Sequence, residues 1–98
     1  MSMREVVFSH RADILALAKR YGITNVRLFG SVAKGTDGPE SDIDFLIDPL
    51  LPIKDSFGFL DFQEQVSTLL DGRTVDVVFS AGLFPPFKNA ILHDAIAL

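Results

Sequence analysis

The sequence predicts one α/β (α+β) domain over residues 1–98, with elements in the order α-β-(α)-β-α-β-α. Two observations carry this. Apolar residues recur at helical spacing in three stretches, and three short runs rich in β-branched and aromatic residues lie between them. A chain of 98 residues suffices for one domain and not two.

The first helix is expected after Ser9, whose hydroxyl can cap free backbone N–H groups. Ile14, Leu17, Ala18 and Tyr21 form its apolar side, and Gly22 stands where a left-handed terminus belongs. Residues 25–29 read as a strand that runs into Gly30-Ser31. Residues 32–34 allow one helical turn before Gly35, and Thr36-Asp37-Gly38-Pro39 is a loop.

Residues 41–48 alternate strictly. Ile43, Phe45 and Ile47 point one way; Asp42, Asp44, Leu46 and Asp48 point the other, so this is a strand. Pro49 and Pro52 end it. Phe59, Phe62, Val66, Leu69 and Leu70 give a second helix that stops at Gly72. Residues 74–79 are a third strand, with Asp76 among valines. Residues 87–97 read as a last helix begun near Pro86, with Ile91, Leu92, Ala95 and Ile96 as its apolar stripe. There are no repeats, low-complexity tracts or linkers.

Composition narrows the function. Net charge is -4, which disfavours nonspecific nucleic-acid binding, since that rests on Lys and Arg neutralising phosphates. Cysteine is absent, so disulfides and thiolate metal sites are excluded. No apolar run is long enough to span a membrane, and the first residues do not form a signal peptide. The expected location is the cytoplasm.

Three acids inside apolar strands are the chemical clue. Aspartate is depleted in strands, and desolvating a lone carboxylate is costly. Asp42 and Asp44 emerge on one face, roughly 7 Å apart at the backbone. Their repulsion would be relieved by a divalent cation, and Mg²⁺ commonly takes one or two carboxylates plus substrate phosphates. If the Asp76 strand neighbours theirs in a suitable register, three carboxylates converge, as two-metal phosphoryl-group transfer requires. The Gly30-Ser31 turn would present backbone N–H groups to a phosphate, with the Ser31 hydroxyl adding a hydrogen bond.

Leu28-Phe29-Gly30-Ser31, then ten residues, then Asp42-Ile43-Asp44 resembles the signature of the polymerase-β-like nucleotidyltransferase superfamily. Gly30-Ser31-Val32-Ala33-Lys34-Gly35, Ser41-Asp42-Ile43-Asp44 and Gly72-Arg73-Thr74-Val75-Asp76-Val77-Val78 are similar to its minimal nucleotidyltransferase (MNT) group. The resemblance implies a palm with a small mixed sheet and flanking helices. It implies that Asp42, Asp44 and Asp76 hold Mg²⁺, two ions in number, and that Asp76 orients or deprotonates the acceptor. Gly30 and Ser31 would bind the nucleotide. ATP is the implied donor, with AMP transferred and pyrophosphate released. Many MNT proteins are antitoxins that adenylylate a tyrosine of a HEPN-domain toxin, so such a toxin is the implied partner, in a hetero-oligomer. Many relatives carry Arg where this chain has Val32; Lys34 is the cation near enough in sequence to compensate.

Other readings fit less well. An EF-hand fails because Leu46 and Ile47 stand at ligand and glycine positions. A P-loop fails because Thr36 replaces its lysine. His10 and His93 are expected at the surface, so Ser31 lacks a base. Phe57, Phe59 and Phe62 are expected in the core, while Phe84 and Phe87 add apolar area suited to a partner. Lys54, Arg73 and Lys88 are expected as solvated charges. Two further functions compete: an antitoxin that neutralises by contact alone, and transfer to a small molecule, for which an acceptor-shaping domain is missing.

Overall fold

A computed structural model describes residues 2–49 and 57–98. Pro52 and Lys54 lie outside the described residues, as does the side chain of Phe57. The elements are α1 (Met3–Ser9), α2 (Arg11–Arg20), β1 (Ile23–Phe29), α3 (Gly30–Lys34), β2 (Ile43–Pro49), α4 (Phe57–Leu69), β3 (Val75–Phe79), a 3₁₀ turn (Ser80–Gly82), α5 (Pro85–Asp94) and β4 (Ile96–Ala97).

The strands form one mixed sheet in the order β3-β2-β1-β4. β1 is antiparallel to both β2 and β4, whereas β2 and β3 run parallel. The parallel pair requires a crossover, and α4 provides it. The expected mixed sheet with flanking helices holds, with a helix added in front and a strand added at the end.

The strand period separates two faces. Leu28, Ile43, Phe45, Ile47, Val75 and Val77 point to one, where Val7 of α1, Ile14 and Ala18 of α2, and Phe62 and Val66 of α4 join them in a single core. On the other face Arg27 stands opposite Leu46, Phe29 opposite Asp44, and Asp44 opposite Asp76. Leu46 is fully buried yet stands outside the main core cluster.

A bulge in β1 keeps this separation. Thr24 pairs with Asp48 and Arg27 with Leu46, so three steps along β1 match two along β2. Asn25 supplies the extra residue at φ +52, a conformation that Asn tolerates better than most residues. The slip lets Ile23, Val26 and Leu28 all reach the core.

Three local expectations change. Ser9 does not cap α2; its hydroxyl donates to Val6 O at 2.6 Å at the end of α1. The cap belongs to Ser2, which forms a reciprocal capping box with Glu5 and starts a helix ahead of the one expected. The last helix starts at Pro85 and stops at Asp94, because Ala95 turns extended and Ile96–Ala97 pair with the edge of β1. Consequently Ile91 and Leu92 do not form a buried stripe: α5 has no fully buried residue. Ile96 instead packs on the core from β4.

Candidate active site

The site is built where β1 ends and β2 and β3 begin. Asp44 is the second residue of β2 and Asp76 the second of β3, and the parallel register places them directly opposite each other. Residues opposed in a sheet share a face, so both carboxyls rise from the same side. Asp42 stands one residue ahead of β2, and its charge acts on both Asp44 and Asp76. The sheet therefore sets Asp44 opposite Asp76, and the chain entering β2 brings Asp42 near enough for its charge to act on both.

Their environment opposes ionisation. Partial burial, together with the charges of Asp76 and Asp42, pushes the Asp44 carboxyl up to about 6. Partial desolvation and the neighbouring Asp42 carboxyl also raise Asp76, though exposed, above the ordinary carboxylate range. Carboxylates under mutual repulsion gain most from a divalent cation.

Gly30 fixes Asp44 from the other side. Its φ is +77, and a Cβ there would lie 3.2 Å from Asp44 Cγ and closer still to Oδ2. Only glycine leaves room for that carboxyl beside the turn. Ser31 follows in α3, half-buried, and its carbonyl accepts from Thr36 N at 2.9 Å. Phe29 gives α3 no side-chain cap, so the first N–H groups of the turn have no such acceptor.

The donor set suits Mg²⁺. The oxygens are carboxylates, the hard ligands that ion prefers, and Gly30 leaves Asp44 a defined seat. Among the described residues no three acidic or imidazole side chains enclose an ion by themselves. Mg²⁺ is ordinarily held by one or two carboxylates with water and phosphate oxygens completing the shell.

Other residues singled out from sequence sort differently. Asp48 shares the acid face, but it serves the fold. Arg27 Nη2 lies 3.2 Å from Asp48 Oδ2, Asn25 Nδ2 donates to the same oxygen at 3.0 Å, and Ser80 Oγ donates to Oδ1. Burial alone would raise this carboxyl, but the bonds from Ser80 and Asn25 and the Arg27 charge hold it below its ordinary value. The Arg27 contact is an ion pair without aligned hydrogen bonds, for Nε and Nη2 have none among the described residues.

Val32 is fully buried in the core, and Lys34 lies 3.5 Å from Asp94 at the end of α5. His10 joins α1 to α2 with Nδ1 3.0 Å from Val6 O, and His93 is exposed on α5. Phe62 is buried and Phe59 stacks on Phe79 with centroids 4.4 Å apart. Arg73 is not the solvated charge expected of it: its Nη2 donates to Ser41 O at 2.8 Å, immediately before Asp42. The sequence carries no signal of this, because the acceptor is a backbone carbonyl.

Comparisons with known proteins agree with this fold. A model of the nucleotidyltransferase domain matches residues 14–98. Protein adenylyltransferase MntA of Thermococcus cleftensis is 26% identical, over 96% of this chain and 90% of its own. A provisionally named protein adenylyltransferase of Methanocaldococcus jannaschii, MJ0128, is 31% identical over 82% of this chain and 81% of its own. A solved structure provisionally named a minimal nucleotidyltransferase superposes with TM-score 0.85 at 33% identity, over 100% of this chain and 97% of that one. A toxin–antitoxin structure with AMP-PNP shares the fold at TM-score 0.72 and 20% identity, over 88% of this chain and 69% of that one. The chain belongs to the nucleotidyltransferase domain family. It is a nucleotidyltransferase built on the minimal plan.

Proposed function

We propose that this domain transfers AMP from ATP to a hydroxyl, a tyrosine of a HEPN-type toxin, and so acts as the antitoxin. The observation that carries the reading is the Asp44–Asp76 pairing with Asp42 beside it. The relatives named protein adenylyltransferases support it.

Asp42, Asp44 and Asp76 would hold two Mg²⁺ ions, which supply charge stabilisation at the transferring phosphate when bound. Gly30 and Ser31 receive the triphosphate at the open turn of α3. Asp76 orients the acceptor hydroxyl and accepts its proton. The acceptor oxygen bonds to the α-phosphorus, the bond to the β-phosphate breaks, and pyrophosphate leaves. No helix among the described residues is long and apolar enough to cross a membrane, which suits a cytoplasmic enzyme in complex with its partner.

The test is to incubate the co-expressed chain and its neighbouring toxin with Mg²⁺ and ATP labelled at either the α- or the γ-phosphate. Label from the α position alone should enter the partner. Label from the γ position would mean phosphoryl rather than nucleotidyl transfer, and no label from either would remove the catalytic reading.

A contact-only antitoxin is the second reading. Phe84 and Phe87, 63% and 65% exposed and stacked edge to face at 5.9 Å, favour a docking role. Asp44→Asn separates the two: neutralisation that survives this change needs no transfer.

A further inference from the structure

The two strands that carry the acids are joined by one guanidinium just before the acids appear. Arg73 leaves the α4–β3 turn, and its Nη2 donates at 2.8 Å to the carbonyl of Ser41. Ser41 lies one residue before Asp42, and Arg73 three before Asp76. Beside this bridge Ile43 N donates to Thr74 O at 2.9 Å, the first rung of the parallel pair.

Both ends of the bridge are themselves anchored. Ser67 Oγ of α4 donates to Arg73 O at 2.6 Å, and Gly72 N donates to Ser67 O at 2.8 Å. Arg73 N donates to Leu70 O at 3.2 Å. On the other side Ser41 Oγ accepts from Gly38 N at 2.8 Å while Ser41 N donates to Gly38 O at 3.2 Å. A part-buried helix residue thus holds the arginine backbone, and the arginine holds the closed turn that delivers Asp42.

Asp42 gains little from the sheet itself, because β2 begins only at Ile43. Without a further tie its carboxyl would move with the 36–42 loop. We propose that Arg73 is a positioning residue for the acid trio: its bond to Ser41 O sets the place of Asp42 relative to Asp76 before any cation or nucleotide arrives. A guanidinium suits the task, since its planar fork keeps a donor aimed along a fixed direction and stays charged at all working pH values. The inference deepens the nucleotidyl-transfer reading and rests on it for its second arm only.

The experiment compares the unaltered full chain with Arg73→Ala and Arg73→Lys. Its first arm is amide hydrogen exchange in metal-free buffer. Arg73→Ala should speed exchange at Gly38, Ser41 and Ile43 while the Phe45 and Val66 amides stay protected. The second arm is calorimetric titration with Mg²⁺ and AMP-PNP well below the melting temperature. Affinity should fall about 10- to 100-fold in Arg73→Ala, the range seen when groups behind a metal ligand are removed. Arg73→Lys, which keeps a charged donor of similar reach, should recover part of both losses.

A merely structural arginine predicts something else: a lower melting temperature with unchanged nucleotide affinity and unchanged exchange at residues 38–43, and that pattern overturns the proposal. If Arg73→Ala does not fold, Arg73→Lys decides between the two, because its weaker grip must loosen residues 38–43 and weaken binding in parallel. Failure of the unaltered chain to bind Mg²⁺ and AMP-PNP would remove the donor-site reading and leave the exchange arm to judge Arg73.

Discussion

Asp44 and Asp76 stand directly opposite each other across the parallel β2–β3 pair, and each carboxyl holds its proton more tightly than an ordinary aspartate. Four residues along the same strand from Asp44, Asp48 has the opposite tendency because Ser80, Asn25 and Arg27 surround it. One strand face thus carries an acid held by the fold and acids left facing one another.

This contrast has a sign in pH. The Asp44 carboxyl, raised to about 6 by burial and its acidic neighbours, binds a proton in the folded chain that the unfolded chain has already lost. Stability from this group is therefore fully present below the ordinary carboxylate range and declines as pH rises to about 6. In metal-free buffer Asp44→Asn should flatten that decline and raise the melting temperature at neutral pH by about 2–5 °C. Thermal melts from acid to neutral pH check it; a variant that melts lower than the parent at neutral pH would show that Asp44 carries no such tension.

Gly30 should tolerate no side chain. Its φ of +77 strains any L-residue, and the new Cβ would strike the Asp44 carboxyl. Gly30→Ala should cost about 1–3 kcal/mol and displace Asp44 from its seat. Gly22 has a similar φ but open space around its Cβ position. Gly22→Ala should cost only about 1 kcal/mol and leave Mg²⁺-dependent AMP-PNP binding intact. Urea denaturation and calorimetry on both variants separate strain from collision.

Asp48 is predicted to matter for folding and not for the donor site. Asp48→Ala removes the acceptor for Ser80 and Asn25 and leaves Arg27 without its ion-pair partner. A loss of about 1–3 kcal/mol is expected in urea denaturation, with nucleotide affinity close to that of the parent. Affinity falling as far as in Asp44→Asn would place Asp48 in the site instead.

The end of the chain offers another check. Ile96 pairs with Leu28 and packs on the core from β4. Ile96→Ala should destabilise the domain by about 1–2 kcal/mol. Leu92, 36% exposed on α5, should accept Ala at little cost. Equal costs at the two positions in denaturant melts would contradict the early end of α5.

Much of this is legible in the residues. Strict alternation through residues 41–48 places Asp42 and Asp44 on one face, and valines around Asp76 mark a second strand. Register is not legible, because it depends on which strands become neighbours, and α4 decides that by crossing over to make β2 and β3 parallel. The short strand β4 is hidden because a two-residue segment has no period to read, so Ile96 passes for the end of a helical stripe. The Ser2–Glu5 capping box is readable in principle, but Ser9 stands nearer the stronger apolar pattern. Arg73 is invisible for a different reason: its partner is a backbone carbonyl 32 residues away, and carbonyls leave no mark in a sequence.

The central claim is that Asp42, Asp44 and Asp76 gather divalent cations beside a nucleotide. Crystals grown with Mn²⁺ and AMP-PNP test it through an anomalous difference map. Peaks in contact with the Asp42 and Asp44 carboxylates, with the triphosphate lying along Gly30 and Ser31, are the expected result. A nucleotide seated elsewhere, or Mn²⁺ peaks that avoid these side chains, would contradict it.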